Sequence, residues 1–375
     1  MRIALVVPGG MGADGVREVI PALLSLIGRL TVRHEVLVLA TEQRASPGAY
    51  VLRGARVLAL GRYGRGPLGR VRLGRRAMAE LRDFRPDLVH AMWLGSGSTI
   101  AALAAWRLGL PLVASLGGGE LVALPRIGYG GARSRLLRWH ARLALRRAAA
   151  VTAGSRTALQ LVAGRRLDGR WLPLGVERVE EADLRVPARG AGDPLRLLVV
   201  ASVNRVKGPE VVLGALARVH RAFEGRAHLE WIGEDTLRGS SADLASALGL
   251  AAVAVFRGLR PHDQVLSAWA RADIAVQGSH HESQGVAMLE AAMAGVPLVG
   301  TAVGLVAELA ALEPPAAIAV PVADARALAD AIVDLAGDEE RRRHMGGAAR
   351  EWALAHDADW TAATFEALYA EVTRR

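Results

Sequence analysis

Short apolar runs closed by Gly or Pro alternate along this chain with stretches whose apolar residues recur every three to four positions. Arg2–Val7 is β-rich and ends at Pro8-Gly9-Gly10, the pattern of a buried parallel strand. A helix is expected over Val16–Leu30, with Pro21 as a kink or an early-turn residue. Strands follow at His34–Ala40 and Val57–Leu60, then an Arg-studded connection from Arg62 to Arg76. Pro86–His90 opens another strand, Ser98–Leu108 reads as helix, and Pro111–Leu116 as a strand ending in Gly117-Gly118-Gly119. A basic helix over about Arg133–Arg147 leads to strand Ala149–Ala153 and to Ser155, placed to cap the next helix. This alternation predicts a parallel sheet with helices on both faces.

The Pro/Gly-rich stretch Val186–Pro194 interrupts the pattern, which restarts at strand Leu195–Ser202. Helix Glu210–Ala222, strand His228–Ile232, helix Ser241–Leu248, strand Val253–Arg257, helix Asp263–Arg271 and strand Ile274–Gln277 come next. Helix Val286–Met293, strands Pro297–Thr301 and Ala317–Pro321, and helices Ala325–Leu335, Glu339–His356 and Asp359–Arg374 complete it. At about 150 residues per domain, 375 residues suit two such domains. The expected division is 1–185, a linker over 186–194, 195–356, and a terminal helical segment over 357–375. The fold class expected is α/β, two Rossmann-like doubly wound sheets, with ligands beyond the carboxyl ends of the strands and in the cleft between domains.

Charge sharpens this division. Residues 1–190 carry 30 Arg against 13 acidic residues, net +17, whereas residues 191–375 carry a net −7. The first half is therefore suited to an anionic partner. Aromatic residues are only 4% of the chain and are not interleaved with the basic ones, which disfavours nucleic acid. Cysteine is absent, which excludes thiol catalysis, iron–sulfur clusters and thiolate zinc sites. No run of eighteen apolar residues occurs, so a cytoplasmic chain is expected.

Three segments carry candidate chemistry. Gly10-Met-Gly-Ala-Asp-Gly15 follows a strand as G-x-G-x-x-G, and Glu35 and Glu42 lie where a dinucleotide enzyme keeps its ribose-binding acid. The same loop also reads as a glycine turn whose amides approach an anion or sugar. Lys207, the single lysine, follows the first strand of the second half, where a compact point charge suits a diphosphate. In Gly278–Pro297 a polar loop runs into a helix N-terminus at Gly285-Val286, with Glu282 in the loop and Glu290 within an apolar helix. A carboxylate on such a face needs hydrogen-bonding partners, either ribose hydroxyls or an ion-pair partner. Adjacent His280 and His281 rarely converge on one ion, so no metal site is expected.

At this segment the sequence resembles a known family. HESQGVAMLEAAMAGVPLVGT is similar to the E-x7-E motif of the retaining glycosyltransferases of the GT-B fold, family 4. The Gly9-Gly10 loop, Lys207-Gly208, Gly233-Glu-Asp235, Phe256-Arg-Gly258 and Gly304…Glu308 match in the same order. The resemblance implies a nucleotide-diphosphate sugar as co-substrate, held mainly by the second domain, with no cofactor and no metal. Lys207, helped by Asn204 and Arg205, would bind the diphosphate. Glu282 with the backbone of Ser283, Gln284 and Gly285 would meet sugar hydroxyls, and Glu290 the ribose. Backbone at Arg257-Gly258 would meet the base, and Gly9 and Gly10 would close over phosphate and sugar. The first domain would serve the acceptor, a hydroxyl on a glycan, a lipid-linked group or a small molecule. The terminal helix would cross back onto that domain.

The chain departs from the family where many members have a His, since Gly117 stands there. His90 is the catalytic substitute expected, and Gly117, Gly118 and Glu120 are the acceptor-side candidates. Reaction on one face, with the departing diphosphate stabilised by Lys207 and by the helix amides at Gly285, would need no metal. The basic helix near Arg133–Arg147, with Leu136, Leu137 and Leu143 among its arginines, is read either as an interfacial helix at an anionic membrane face or as a core helix with a solvated Arg face. A nicotinamide oxidoreductase using Gly10–Gly15 and a catalytically silent sugar-nucleotide or membrane-binding module remain as alternative functions.

Overall fold

The computed structural model describes residues 1–43, 48–61, 66–163, 167, 169–179 and 192–375. They form two compact units, one of Met1–Glu177 with Ala358–Arg375 and the other of Arg178–Asp357. The expected linker lies outside the described residues for 186–191. The second unit begins at Arg178 rather than beyond 190, because Arg178 is ion-paired with buried Asp357 and the Val179 carbonyl accepts from Arg350.

The first unit holds β1 (Arg2–Val7), α1 (Pro21–Leu30), β2 (Glu35–Ala40), β3 (Gly48–Leu52), β4 (Ala55–Ala59) and α2 (Pro67–Phe84). It continues with β5 (Leu88–Met92), α3 (Ser96–Leu108), β6 (Leu112–Leu116), α4 (Arg135–Arg147), β7 (Ala150–Ala153), α5 (Arg156–Gln160) and β8 (Gly169–Trp171). Its strand order is β3-β4-β2-β1-β5-β6-β7-β8, parallel except for β3, which pairs antiparallel with β4. Ile3 faces Val36 of β2 on one side and Leu88 of β5 on the other. Both faces of the sheet are covered, so the strands read as unbroken apolar runs.

Helix α13 (Ala358–Arg374) belongs to this unit. Its Phe365, Leu368 and Val372 pack with Ile3, Leu5 and Ile27 on one face, while α2 and α3 cover the other with Ala77, Leu81, Ala101 and Ala105. At its start Arg29 forks onto Glu177 at 2.8 Å and onto Asp359 at 2.5 Å. The guanidinium holds the Glu177 carboxyl down, at about 2.

The second unit comprises β9 (Leu195–Val200), α6 (Pro209–Ala222), β10 (Ala227–Ile232), α7 (Ser240–Ala247), β11 (Ala254–Gly258), α8 (His262–Trp269) and β12 (Ile274–Gln277). Then come α9 (Val286–Met293), β13 (Leu298–Thr301), α10 (Gly304–Ala310), β14 (Ala317–Val320), α11 (Ala325–Gly337) and α12 (Glu339–Ala355). The sheet order is β11-β10-β9-β12-β13-β14, all parallel. The chain adds strands in one direction from β9 to β11 and in the opposite direction from β12 to β14. The order therefore reverses between β9 and β12, which makes the loops after those strands a topological switch point.

Four sequence expectations are corrected. The helix expected from Val16 begins at Pro21, because Asp14 accepts the amides of Val16 and Arg17 in a tight turn and Met11 bridges Val19. Proline lacks an N–H and is accommodated at the first helical position. The Arg-studded connection is mostly α2, whose apolar face Leu73, Ala77, Leu81 and Phe84 is diluted by arginines and two glycines. A hairpin turn at Arg53-Gly54, both at positive φ, adds β3. Strand β8 and helix α10, short elements of three and seven residues, were also absent from the expected pattern.

Candidate active site

The switch point of the second sheet brings together residues some seventy-five positions apart. After β9, Asn204 accepts the Lys207 amide through Oδ1 at 3.2 Å, closing a single turn that ends at Gly208 in left-handed backbone. A Cβ on Gly208 would lie 2.2 Å from the Gly278 carbonyl, so the loops after β9 and β12 can pass in backbone contact only with glycine here. The His280 amide then bonds the Val206 carbonyl at 2.7 Å.

This stitching brings the single lysine to Glu282. Lys207 Nζ lies 2.5 Å from Glu282 Oε1, and Ser279 Oγ donates to the same oxygen at 2.7 Å. Thr301 at the end of β13 donates to the Ser279 carbonyl at 2.6 Å. The Lys207 and Glu282 side chains are mostly covered, at 26% and 12% exposure. Both partners therefore remain reachable from solvent yet are held in one geometry.

Gly285, also left-handed, ends the loop and starts α9, whose N-terminus has no side-chain cap. Backbone amides at such an end attract negative charge. The Gln284 carbonyl accepts the Leu305 amide at 2.6 Å, and a Cβ on Gly304 would press to 2.5 Å from that carbonyl and 2.7 Å from Glu282 Cβ. The Gly304…Glu308 motif thus begins with a glycine that lets α10 lie against the loop. Ser283 and Gln284 are buried.

Glu290, one α9 turn further in, is buried among Met288, Leu289, Ala291 and Ala292 and lies 2.9 Å from His262 Nε2 at the start of α8. His262, Ser279 and Thr301 escaped the sequence reading; only the polar character of residues beside carboxyl strand ends could have signalled them. On the flank, the Gly233 amide bonds the Gly258 carbonyl at 3.0 Å, and a Cβ on Gly233 would lie 2.0 Å from the Ala201 carbonyl. The Arg257 side chain is tied to Glu230 at 3.1 Å, and Arg205 is exposed. His280 pairs with Glu210 at 2.8 Å. No group of three His, Cys, Asp or Glu suited to a metal ion occurs among the described residues.

The first unit places its candidates differently. His90, expected as a catalytic substitute, is fully buried on β5. Its Nδ1 lies 2.7 Å from the Tyr369 hydroxyl and its Nε2 2.6 Å from Ser115 Oγ, with the Phe365 ring 5.2 Å away. Burial lowers its pKa to about 3 and pushes the Tyr369 phenol up, so a neutral imidazole joins α13 to the sheet. That expectation is corrected: the side chain lies in mid-strand, fully buried and sealed by α13, with both ring nitrogens taken by Tyr369 and Ser115.

Gly117 adjoins Trp93, and a Cβ there would lie 2.2 Å from the indole Nε1. The space of the family's usual His is thus occupied by an indole, whose own residue sits at φ 69°. Glu120 draws in three amides, those of Leu94, Gly117 and Gly118, at 3.3, 3.1 and 2.8 Å. Gly117, Gly118 and Glu120 therefore do form one cluster beyond β5 and β6.

Gly9 and Gly10 begin a loop braced by Gln43, which accepts the Met11 amide at 3.1 Å. The glycines up to Gly15 do not open a helix; five residues separate Gly15 from Pro21. A dinucleotide fingerprint requires that direct junction, so the oxidoreductase reading loses its structural basis.

Comparison with known proteins agrees with this geometry. Residues 182–352 match the family described as glycosyl transferases group 1, and residues 15–175 match the glycosyl transferase 4-like domain. A 2-deoxystreptamine N-acetyl-D-glucosaminyltransferase of Streptomyces fradiae is 31% identical over 286 residues, which span 72% of this chain and 67% of that protein. A D-inositol 3-phosphate glycosyltransferase of Corynebacterium aurimucosum is 34% identical over 193 residues, 49% of this chain and 45% of that one. Among solved structures, sucrose-phosphate synthase from Thermosynechococcus elongatus superposes with a TM-score of 0.79 at 21% identity, covering 99% of both chains. Anabaena HepE in complex with UDP and glucose gives 0.75 at 18% identity, covering 99% of this chain and all of that one. With both halves matched in order and the sheets of a GT-B enzyme in place, this chain belongs to the group 1 family of glycosyltransferases.

Proposed function

We propose that this glycosyltransferase moves a sugar, with retention, from a nucleoside-diphosphate donor to a hydroxyl acceptor, and that Lys207 and the amide end of α9 hold the diphosphate. The observation that carries the reading is the 2.5 Å Lys207–Glu282 contact at the switch point of the second sheet. As the bond from anomeric carbon to phosphate oxygen breaks, positive charge grows on the sugar and negative charge on the departing diphosphate. A fixed ammonium and oriented amides stabilise that leaving group, a contribution of several kcal/mol in comparable sites, on the order of 3–4. These groups supply the countercharge without a metal ion. Glu282 accepts from sugar hydroxyls, and Glu290, held by His262, accepts from the ribose.

The acceptor is read as anionic, because the first unit carries the Arg excess; the name of one relative likewise carries a phosphate. Leu136, Leu137 and Trp139 stand exposed beside Arg135 and Arg138 on α4, which supports a cytoplasmic enzyme working at an anionic membrane face. No helix among the described residues is long and apolar enough to cross a membrane.

A panel of UDP-, GDP- and ADP-sugars tests the reading through donor hydrolysis in chelator-treated protein. One donor class is expected to turn over, and Lys207→Ala to lower that turnover about 10³-fold. Turnover of no donor, or turnover indifferent to Lys207, would overturn it.

A further inference from the structure

The first unit contains a cavity of about 690 Å³ between α2 and α3. That is the size of a pocket for a ligand of several hundred daltons. Its apolar wall is Leu73 and Met78 of α2 with Ile100 and Leu103 of α3. Its lining reaches from Ser96 to Arg107 on α3, eleven residues or about 16 Å along the helix. The cavity is therefore a groove, long enough for an extended chain.

Four arginines line the same groove: Arg70, Arg75 and Arg82 on α2 and Arg107 on α3. None has a carboxylate partner among the described residues, and no acidic residue lines the groove. Of the carboxylates nearby, Glu80 is taken by Arg56 and Arg76, both at 2.6 Å, and Glu42 accepts from Ser96 Oγ at 2.7 Å. Four uncompensated cations along an apolar trough repel one another, so an anion within it is stabilised.

The third observation is His140 of α4, which lines the groove and is nine-tenths buried. Its Nδ1 lies 2.6 Å from Thr99 Oγ1, while Nε2 has no hydrogen-bond partner among the described residues. Burial, and then the charge of Arg70, lower its pKa, so the ring is neutral and still has one nitrogen to offer an oxygen. Trp106, half exposed, adjoins the arginine-rich end, with Arg107 and Arg147 near its ring.

We propose that this groove binds an anionic lipid, its acyl chain against Leu73, Met78, Ile100 and Leu103 and its phosphate among the arginines. A neutral sugar would leave the cations unanswered, and an inorganic anion would leave the trough empty. No Phe, Tyr or Trp lines the groove to stack a nucleobase. The proposal deepens the anionic-membrane part of the reading above and does not depend on the donor chemistry.

Titration calorimetry with dodecyl phosphate below its micellar concentration, dodecyl maltoside and inorganic phosphate tests it. Dodecyl phosphate is expected to bind at least tenfold more tightly than either. Arg82→Gln and Arg107→Gln change exposed helix positions and are expected to weaken it about tenfold each, with the melting temperature unchanged. Leu103→Glu is expected to remove binding altogether. Phosphatidylglycerol vesicles are expected to retain the protein at low salt and phosphatidylcholine vesicles to release it. Equal affinity for inorganic phosphate and dodecyl phosphate, or binding indifferent to both arginine changes, would overturn the proposal. Donor hydrolysis without acceptor, measured on the same variants, is expected to be unchanged, so failure of the lipid site and failure of the donor reading give different results.

Discussion

His90 in the first sheet lies on a strand beside a switch point, whereas Lys207 and Glu282 in the second lie in loops that follow such strands. His90 lies within β5, two residues before its end, where neighbouring strands and α13 enclose it. Lys207 and Glu282 lie several residues beyond β9 and β12, in loops that Gly208 and Gly278 let pass in backbone contact. A titratable group inside a strand is desolvated and becomes a joint of the fold. One beyond the strand's carboxyl end stands at a solvent-reachable edge. Position relative to the strand end, more than residue type, divides the sealed group from the reachable ones here.

Breaking the cation beyond β9 should have the largest effect. Lys207→Ala is expected to lower donor turnover about 10³-fold, roughly 4 kcal/mol of leaving-group stabilisation, with little change in melting temperature. Steady-state kinetics beside a thermal melt check this.

His90→Ala should show the reverse. It opens a cavity and orphans the Tyr369 hydroxyl, costing about 3 kcal/mol of stability in urea unfolding. The folded protein should keep its donor affinity. The group also predicts a pH trend. His90 takes up a proton near 6.5 when unfolded but only near 3 when folded. Its contribution is therefore complete above pH 6.5 and erodes as pH falls towards 3, by up to about 1.4 kcal/mol per unit. His90→Gln should flatten that slope.

Gly117→His restores the family's usual residue, but against Trp93 it should cost about 2 kcal/mol through overpacking. Adding Trp93→Gly should recover part of the loss, which a double-mutant cycle measures. The smallest effect belongs to the Ser155 cap, whose Oγ accepts the Ala158 amide at 3.1 Å; Ser155→Ala should cost about 1 kcal/mol.

The buried strands and α9 were legible in the sequence because their apolar runs are bounded by Gly or Pro; Ile274–Gln277 and Val286–Met293 match residue for residue. Helix α2 was obscured because its core stripe is one Leu, one Ala and a distant Leu-Phe among five arginines. Residue type and loop position singled out Lys207 and Glu282 as candidates, but not that they contact each other. That contact depends on β9 and β12 being neighbours and on two glycines meeting, a long-range fact. The role of His90 was misread for the same reason: its partner Tyr369 is 279 positions away. Trp93 filling the space at Gly117 was equally invisible, since no local pattern announces a strained indole.

The central claim is that the cation beyond β9 grips the diphosphate. Calorimetry with the nucleoside diphosphate of the active donor, on wild type, Lys207→Ala and His90→Gln, tests it most directly. The account predicts at least a hundredfold weaker binding for Lys207→Ala, about 2.7 kcal/mol, and unchanged binding for folded His90→Gln. Equal affinity in wild type and Lys207→Ala would contradict it.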